Sequence, residues 1–138
     1  MTKEGRNVVL GDIISKHQDK GFSSVGYSDV IDIDGNILSL TKYNPSGRCK
    51  DWMLGKEIDN CSRHIAYMGG INKESTYLKD TRTDSQKETL EIYVKYMIKR
   101  HPNILIAGHN QFNNKSCPSF NMSEWLYKVG VKDKNIYK

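Results

Sequence analysis

The stretch TDSQKETLEIYVKYMIKRHPNILIAGHNQFNNKSCPSF, residues 83–120, decides the reading of this chain. Thr83 stands three residues before Gln86, the spacing of a capping box, in which each side chain bonds the other's backbone N–H. Leu90, Tyr93, Val94, Met97 and Ile98 then recur at i, i+3, i+4, i+7 and i+8, which lays one apolar stripe along a helix. Lys99 and Arg100 fall in the last turn, where they complement the helix dipole, and Pro102 forbids another turn. The spacing predicts a helix over 83–100. The run ILIAG (104–108) is unbroken in its apolar character and predicts a central strand covered on both faces. It delivers His109 to its C-terminal end, the edge at which α/β sheets form ligand crevices. Cys117 follows eight residues later, with Pro118 stiffening the chain behind it.

Outward from this stretch the elements are shorter. VGYSDVIDIDGNILSL (25–40) reads as a hairpin, with strands at 26–33 and 36–40 around the turn pair Asp34-Gly35. SRHIAYM (62–68) predicts a third strand, closed by Gly69-Gly70. LGDIISKHQDK (10–20) predicts a short helix stopped by Gly21. Residues 41–60 are rich in breakers, and 71–82 form a polar loop. A last helix is expected near 122–129, with Trp125 and Leu126 facing inward and Gly130 as its stop. Tyr93, Tyr96, Met97 and Trp125 read as core or helix-face residues. The order is helix, hairpin, strand, helix, strand, helix. That predicts an α/β fold, a small mixed central sheet flanked by helices.

Composition bounds the function. The 138 residues make a single domain, 1–138, and 37% hydrophobic with 27% charged residues is an ordinary globular mix. No apolar run approaches the ~20 residues of a membrane span, so no membrane insertion is expected. MTKEGRNVVLGD lacks the apolar core of a signal peptide. The net charge of +5 suits a polyanionic partner such as a bacterial wall. The basic residues are interleaved with acids and form no Lys/Arg block, which argues against nucleic acid. Three cysteines without a C-x-x-C pair fit neither a full disulfide set nor a zinc ribbon. Imidazole nitrogen and thiolate sulfur favour zinc among the divalent ions, so His109 and Cys117 are candidate ligands. Their spacing alone fits equally a solvated histidine and a small buried thiol.

The segment KDTRTDSQKETLEIYVKYMIKRHPNILIAGHNQFNNKSCPSF (79–120) resembles the C-terminal half of the zinc-dependent N-acetylmuramoyl-L-alanine amidases, the family of phage endolysins and peptidoglycan recognition proteins. GFSSVGYSDVIDIDGNI (21–37) resembles the family's G-[FW]-x-x-[IV]-G-Y-H-[YF]-x-I-x-x-D-G hairpin, and HIAYMGG (64–70) its strand ending in V-G-G. The likeness runs from about residue 4 to 127. It implies hydrolysis of the lactyl–L-alanine amide of peptidoglycan by an enzyme made in a bacterial or phage-infected cytoplasm and acting on the cell wall. It implies zinc on His109 and Cys117. Tyr27 matches the tyrosine of G-Y-H, and Lys115 the lysine of K-x-C-P; both would serve the tetrahedral oxyanion. Trp52 lies in the loop that borders the groove in relatives and reads either as a packed loop anchor or as a stacking surface for a glycan; Arg48, in the same loop, is a candidate substrate contact.

The chain also departs from the pattern. G-Y-H reads Gly26-Tyr27-Ser28, and the middle-loop G-[AS]-H reads Gly47-Arg48-Cys49. The family's opening strand, with its apolar-H-[CS]-[TS]-A motif and first zinc ligand, is expected to be absent: either the chain starts too late or the strand has been lost. His64 and Cys49 are the leading candidates for a substitute ligand, ahead of His17 and His101. Neighbours of a lost strand would have open edges, so another segment or a second copy of the chain is expected to cover them. The competing expectation is an inactive protein of this fold that binds muropeptides or serves a structural role.

Overall fold

The computed structural model describes residues 2–3, 29–39, 63–71, 79–111 and 118–138. The expected helix at 10–20 and the segment 41–60 lie outside them. The described elements are the strands β1 (Thr2–Lys3), β2 (Asp29–Ile31), β3 (Ile37–Ser39), β4 (Ile65–Tyr67) and β5 (Gly70–Ile71), the helices α1 (Asp84–Arg100) and α2 (Met122–Lys128), and 3₁₀ turns at His109–Gln111 and Asp133–Asn135. β2 is central. It runs antiparallel to β3, with Val30 opposite Leu38, and parallel to β4, with Val30 opposite Ala66. β1 lies parallel on β5, Thr2 against Gly70. The sheet is mixed and carries helices, the architecture expected from the sequence.

The hairpin forms at the expected turn, with five residues, 32–36, between the strands. Gly35 N–H donates to Asp32 O at 3.0 Å and Asp32 N–H to Asn36 O at 2.9 Å. The Asp32 carboxylate accepts from the N–H groups of Asp34 (3.0 Å) and Asn36 (2.9 Å). Asp32 and Ile33, expected in the strand, therefore belong to the turn, because this carboxylate offers the backbone a local alternative to the ladder. Gly35 has φ +86°, and a Cβ there would lie 2.8 Å from Ser85 O. Only glycine lets the turn sit this close to α1. Two threonines complete the junction: Thr83 Oγ1 donates to Ile33 O (2.7 Å) and Thr89 Oγ1 to Gly35 O (2.6 Å).

The capping box of α1 is present, Gln86 N–H donating to Thr83 Oγ1 (3.1 Å) and Thr83 N–H to Gln86 Oε1 (2.9 Å). Gln86 does more than cap. It is fully buried, and its Nε2 donates to Met68 O (2.9 Å) and Ile31 O (3.3 Å), where β4 and β2 end. One side chain so joins the helix start to two strands. Beyond it Leu90 and Val94 enter the core with Ile31, Leu126, Val131 and Ile136, while Ile98, Ile65, Tyr67 and Trp125 pack at its margin. Each buried Leu, Ile or Val there is worth about 1.5–3 kcal/mol. α2 ends one residue before the expected position, with Gly130 N–H on Tyr127 O (3.1 Å) and Val131 N–H on Leu126 O (3.0 Å), which turns Val131 inward.

The expectation for residues 104–108 needs correction. They are not a strand covered on both faces. Among the described residues Ile106 makes a single parallel bridge, to Ile136, and Leu105 is 36% exposed. Ile106 N–H donates to Asn135 O (2.9 Å) and Tyr137 N–H to Ile106 O (3.0 Å). An apolar run reports a preference for burial but not the identity of its neighbour, and here the neighbour is the 135–137 segment. Fully buried Asn135 secures it, Nδ2 donating to Pro102 O and Ile104 O, both at 2.9 Å.

Replacing Gln86 by leucine keeps the volume and strips the donors and acceptor from this junction. With Thr83 N–H and Met68 O left unpaired, stability is expected to fall by about 2–4 kcal/mol. Urea unfolding of Gln86→Leu beside wild type measures it. An unchanged midpoint would show that the carboxamide contributes nothing to the fold.

Candidate active site

His109 opens the 3₁₀ turn at the end of residues 104–108 and is exposed. The turn is fixed at both ends: Gly108 N–H donates to Gln111 Oε1 (2.7 Å), Gln111 N–H to Gly108 O (3.0 Å), and Gln111 Nε2 to Tyr137 O (3.3 Å). Gly108 is buried at a close approach. A Cβ there would stand 3.2 Å from Pro118 Cδ and 2.8 Å from Asn110 Oδ1. The backbone leading into His109 is therefore packed on the proline that follows Cys117. Cys117, Lys115, Tyr27, Arg48, Trp52 and Cys49 lie outside the described residues.

His64 immediately precedes β4 and is half-buried. Its carbonyl accepts from Asp29 N–H at 3.3 Å, which extends the β2–β4 pairing by one residue. Among the described residues no three His, Cys, Asp or Glu side chains cluster as a metal site. Imidazole nitrogen is a zinc-type donor, and His109 stands at the head of a fixed turn whose root, Gly108, packs on Pro118.

Around this corner the sequence reading missed several residues. Tyr67, ending β4, donates its hydroxyl to Pro118 O at 2.7 Å. Ser119 has φ +71° and donates Oγ to Gly70 O at 3.3 Å. The Arg82 guanidinium lies 3.5 Å over the Phe120 ring and 5.0 Å from the Trp125 ring centre, and Asp80 grips it at 2.9 and 3.0 Å. Its Nη1 is buried with no hydrogen-bond partner, so this arginine is held by ring faces and one carboxylate. Burial pushes the Asp80 carboxyl up, but the Arg82 donors outweigh it and hold the group below its ordinary value.

A second polar cluster lies on the sheet. Asp29, 2% exposed, accepts from Arg63 Nη2 (2.6 Å) and Nε (3.1 Å), Tyr93 Oη (2.9 Å) and Ser39 Oγ (2.9 Å). Arg63 Nε also reaches Tyr93 Oη at 2.7 Å. A buried carboxylate survives because every lone-pair direction finds a donor. The signal was visible in the hairpin pattern, which has Tyr or Phe where this chain has Asp29. Tyr93, read as a helix-face residue, leaves the apolar stripe to join this cluster. Burial, first, and its bond to the Asp29 carboxylate push its hydroxyl up to about 12, against the opposing donation from Arg63.

No family profile matches the chain. It is similar to the endolysin of Escherichia phage T7, 25% identical over 130 residues that span 92% of this chain and 80% of that protein, and to the endolysin of Enterobacteria phage T3 with the same figures. Its structure is similar to the N-acetylmuramoyl-L-alanine amidase LysC from Clostridium intestinale URNW, with TM-score 0.66 at 20% identity over 95% of this chain and 84% of that one. The endolysin amidase LysCS from the same organism gives TM-score 0.67 at 20% identity, over 95% and 82%.

The Tyr93 geometry sets a pH dependence. Its folded value lies above that of an unfolded tyrosine, about 10. The unfolded chain thus releases this proton first, and the contribution, complete below pH 10, is lost as pH rises towards 12. Denaturation at pH 8, 10 and 11.5 is expected to show a smaller alkaline loss in Tyr93→Phe than in wild type. Parallel curves would contradict this. Taken together, the chain is similar to phage endolysins along nine-tenths of its length and shares its fold with two N-acetylmuramoyl-L-alanine amidases of solved structure.

Proposed function

We propose that this chain is a zinc-dependent N-acetylmuramoyl-L-alanine amidase that cleaves the amide between the muramic acid lactyl group and L-alanine in peptidoglycan. The observation that carries the reading is the likeness to phage endolysins over 92% of this chain, and the packing of Gly108 on Pro118, the residue after Cys117, supports it. His109 and Cys117 would hold the metal, with His64 or Cys49 as candidates for a further ligand. Bound zinc supplies a water of lowered pKa and polarises the scissile carbonyl. The hydroxyl of Tyr27 and the ammonium of Lys115 donate hydrogen bonds to the oxyanion that forms when water adds, and one of them passes a proton on as the amide nitrogen leaves. Arg48 and Trp52 bind the glycan and stem peptide. The partner is the bacterial cell wall.

A second reading, an inactive muropeptide binder, draws on Ser28 and Cys49, which stand where the family pattern has histidines. One assay separates the two. A soluble muropeptide is incubated with zinc-supplemented protein, and release of the free stem peptide is followed by mass spectrometry. Wild type is expected to cleave, and Cys117→Ala and His109→Ala to fall at least ~100-fold, the scale on which a core catalytic group acts. Tyr27→Phe is expected to keep zinc and lose rate. Tight muropeptide binding without any cleavage would replace the enzyme reading with the binder.

A further inference from the structure

We propose that a lysine-lined pocket beside the exit of α1 is a binding site for a phosphorylated saccharide. Placing that saccharide in the bacterial cell envelope rests on the amidase reading above; the pocket itself does not.

Charge is unevenly spread along the chain. Residues 95–138 hold eight lysines and arginines against two acids, Glu124 and Asp133, a net +6, so the excess of the +5 chain lies wholly within them. The fold gathers part of it. A pocket of about 360 Å³ lies between the second half of α1 and the segment that follows α2. Ile98, Pro102 and Val131 give it apolar surface, and Lys95, Lys132 and Lys134 line it as well. Among the described residues no acidic side chain lines it.

The neighbouring carboxylates leave this charge largely uncompensated. Asp133 stands between two of the lysines in sequence, but its carboxylate accepts from Lys138 Nζ at 2.7 Å and from the Tyr127 hydroxyl. Glu91 lies 3.6 Å from Lys95 Nζ in an exposed i,i+4 pair, which contributes little. No described carboxylate pairs with Lys132 or Lys134, and both are exposed. Like charges around one hollow repel, and an anion seated there relieves the repulsion.

The lining selects among anions. Ammonium groups act on phosphate as compact point charges. The apolar surface suits the C–H face of a sugar ring, and the volume falls within the range of small-ligand pockets, about 300–1,000 Å³. Neither an aromatic ring nor an arginine is among the described lining residues, so a single-stranded nucleic acid finds no stacking platform. The exposed large apolar side chains, such as Ile92, Tyr96 and Leu105, lie outside the lining, so nothing at the pocket enters a bilayer.

Glucose 1,6-bisphosphate is the probe, titrated into the whole chain by calorimetry, with glucose and inorganic phosphate alongside. Wild type is expected to bind the bisphosphate more tightly than either, and less tightly as salt rises. The double variant Lys132→Gln, Lys134→Gln is expected to weaken it at least about tenfold, since it removes two charged donors. Lys132→Arg with Lys134→Arg keeps the charges and is expected to bind close to wild type. Both pairs lie on exposed positions, and melting temperatures near wild type would show that the fold is intact. Equal binding by wild type and the glutamine variant overturns the proposal. So does binding confined to a single-stranded oligonucleotide or to phosphatidylglycerol vesicles. The readout needs no catalysis. A chain that binds the probe and cleaves no muropeptide overturns the amidase reading alone, and one that cleaves without binding the probe overturns this proposal alone.

Discussion

The Gln86 carboxamide is the junction on which the other parts depend. It caps its own helix through Thr83 and holds the carbonyls of Ile31 and Met68 at the ends of β2 and β4. Two parallel strands far apart in sequence are thereby levelled against one helix end. Helix register then follows, placing Leu90 and Val94 over Ile31. The hairpin turn is pressed onto the same helix end, with Gly35 making room. An apolar side chain could fill this volume, but it could not specify where along the strands the helix begins. Buried hydrogen-bonded groups contribute such directionality in addition to energy.

The Asp29 cluster addresses a similar demand with charge. A carboxylate at 2% exposure would be costly alone, and replacing a paired ion by apolar packing is often neutral or better for stability. What the cluster supplies is a cross-link. Asp29 on β2, Ser39 on β3, Arg63 ahead of β4 and Tyr93 on α1 are tied at one point, at the end of the sheet opposite Gln86. The helix is thus registered twice, once at its first turn and once near its middle.

Much of this was legible in sequence where the determinants are local. The capping box and the 90–98 stripe specify α1 nearly to the residue, and Asp34-Gly35 marks the turn. The 104–108 run was misjudged because hydrophobicity carries no address. Its partner, around Ile136, is two apolar positions among lysines, with no periodicity to read. Arg63 and Asp29 are 34 residues apart, and nothing local to either announces the pairing. Of the site, His109 was legible as a candidate at the end of an apolar run, whereas the Gly108–Pro118 contact was not, because it joins residues ten apart through a close approach of backbone to ring. Nor was the Tyr67 bond to Pro118 O, which comes from the reach of one hydroxyl away from the end of β4.

The bridge between Ile106 and Ile136 has a consequence for the order in which the molecule can be completed on the ribosome. Every element from β1 to α2 emerges before residues 135–137. Until those residues are free, the backbone of Ile106 lacks the partners described for it, and Asn135 is not yet there to hold Pro102 and Ile104. The chain reaching His109 therefore acquires its final lateral support after α2 has been made. Translation past residue 137, as well as folding of the sheet and helices, gates the appearance of a finished corner.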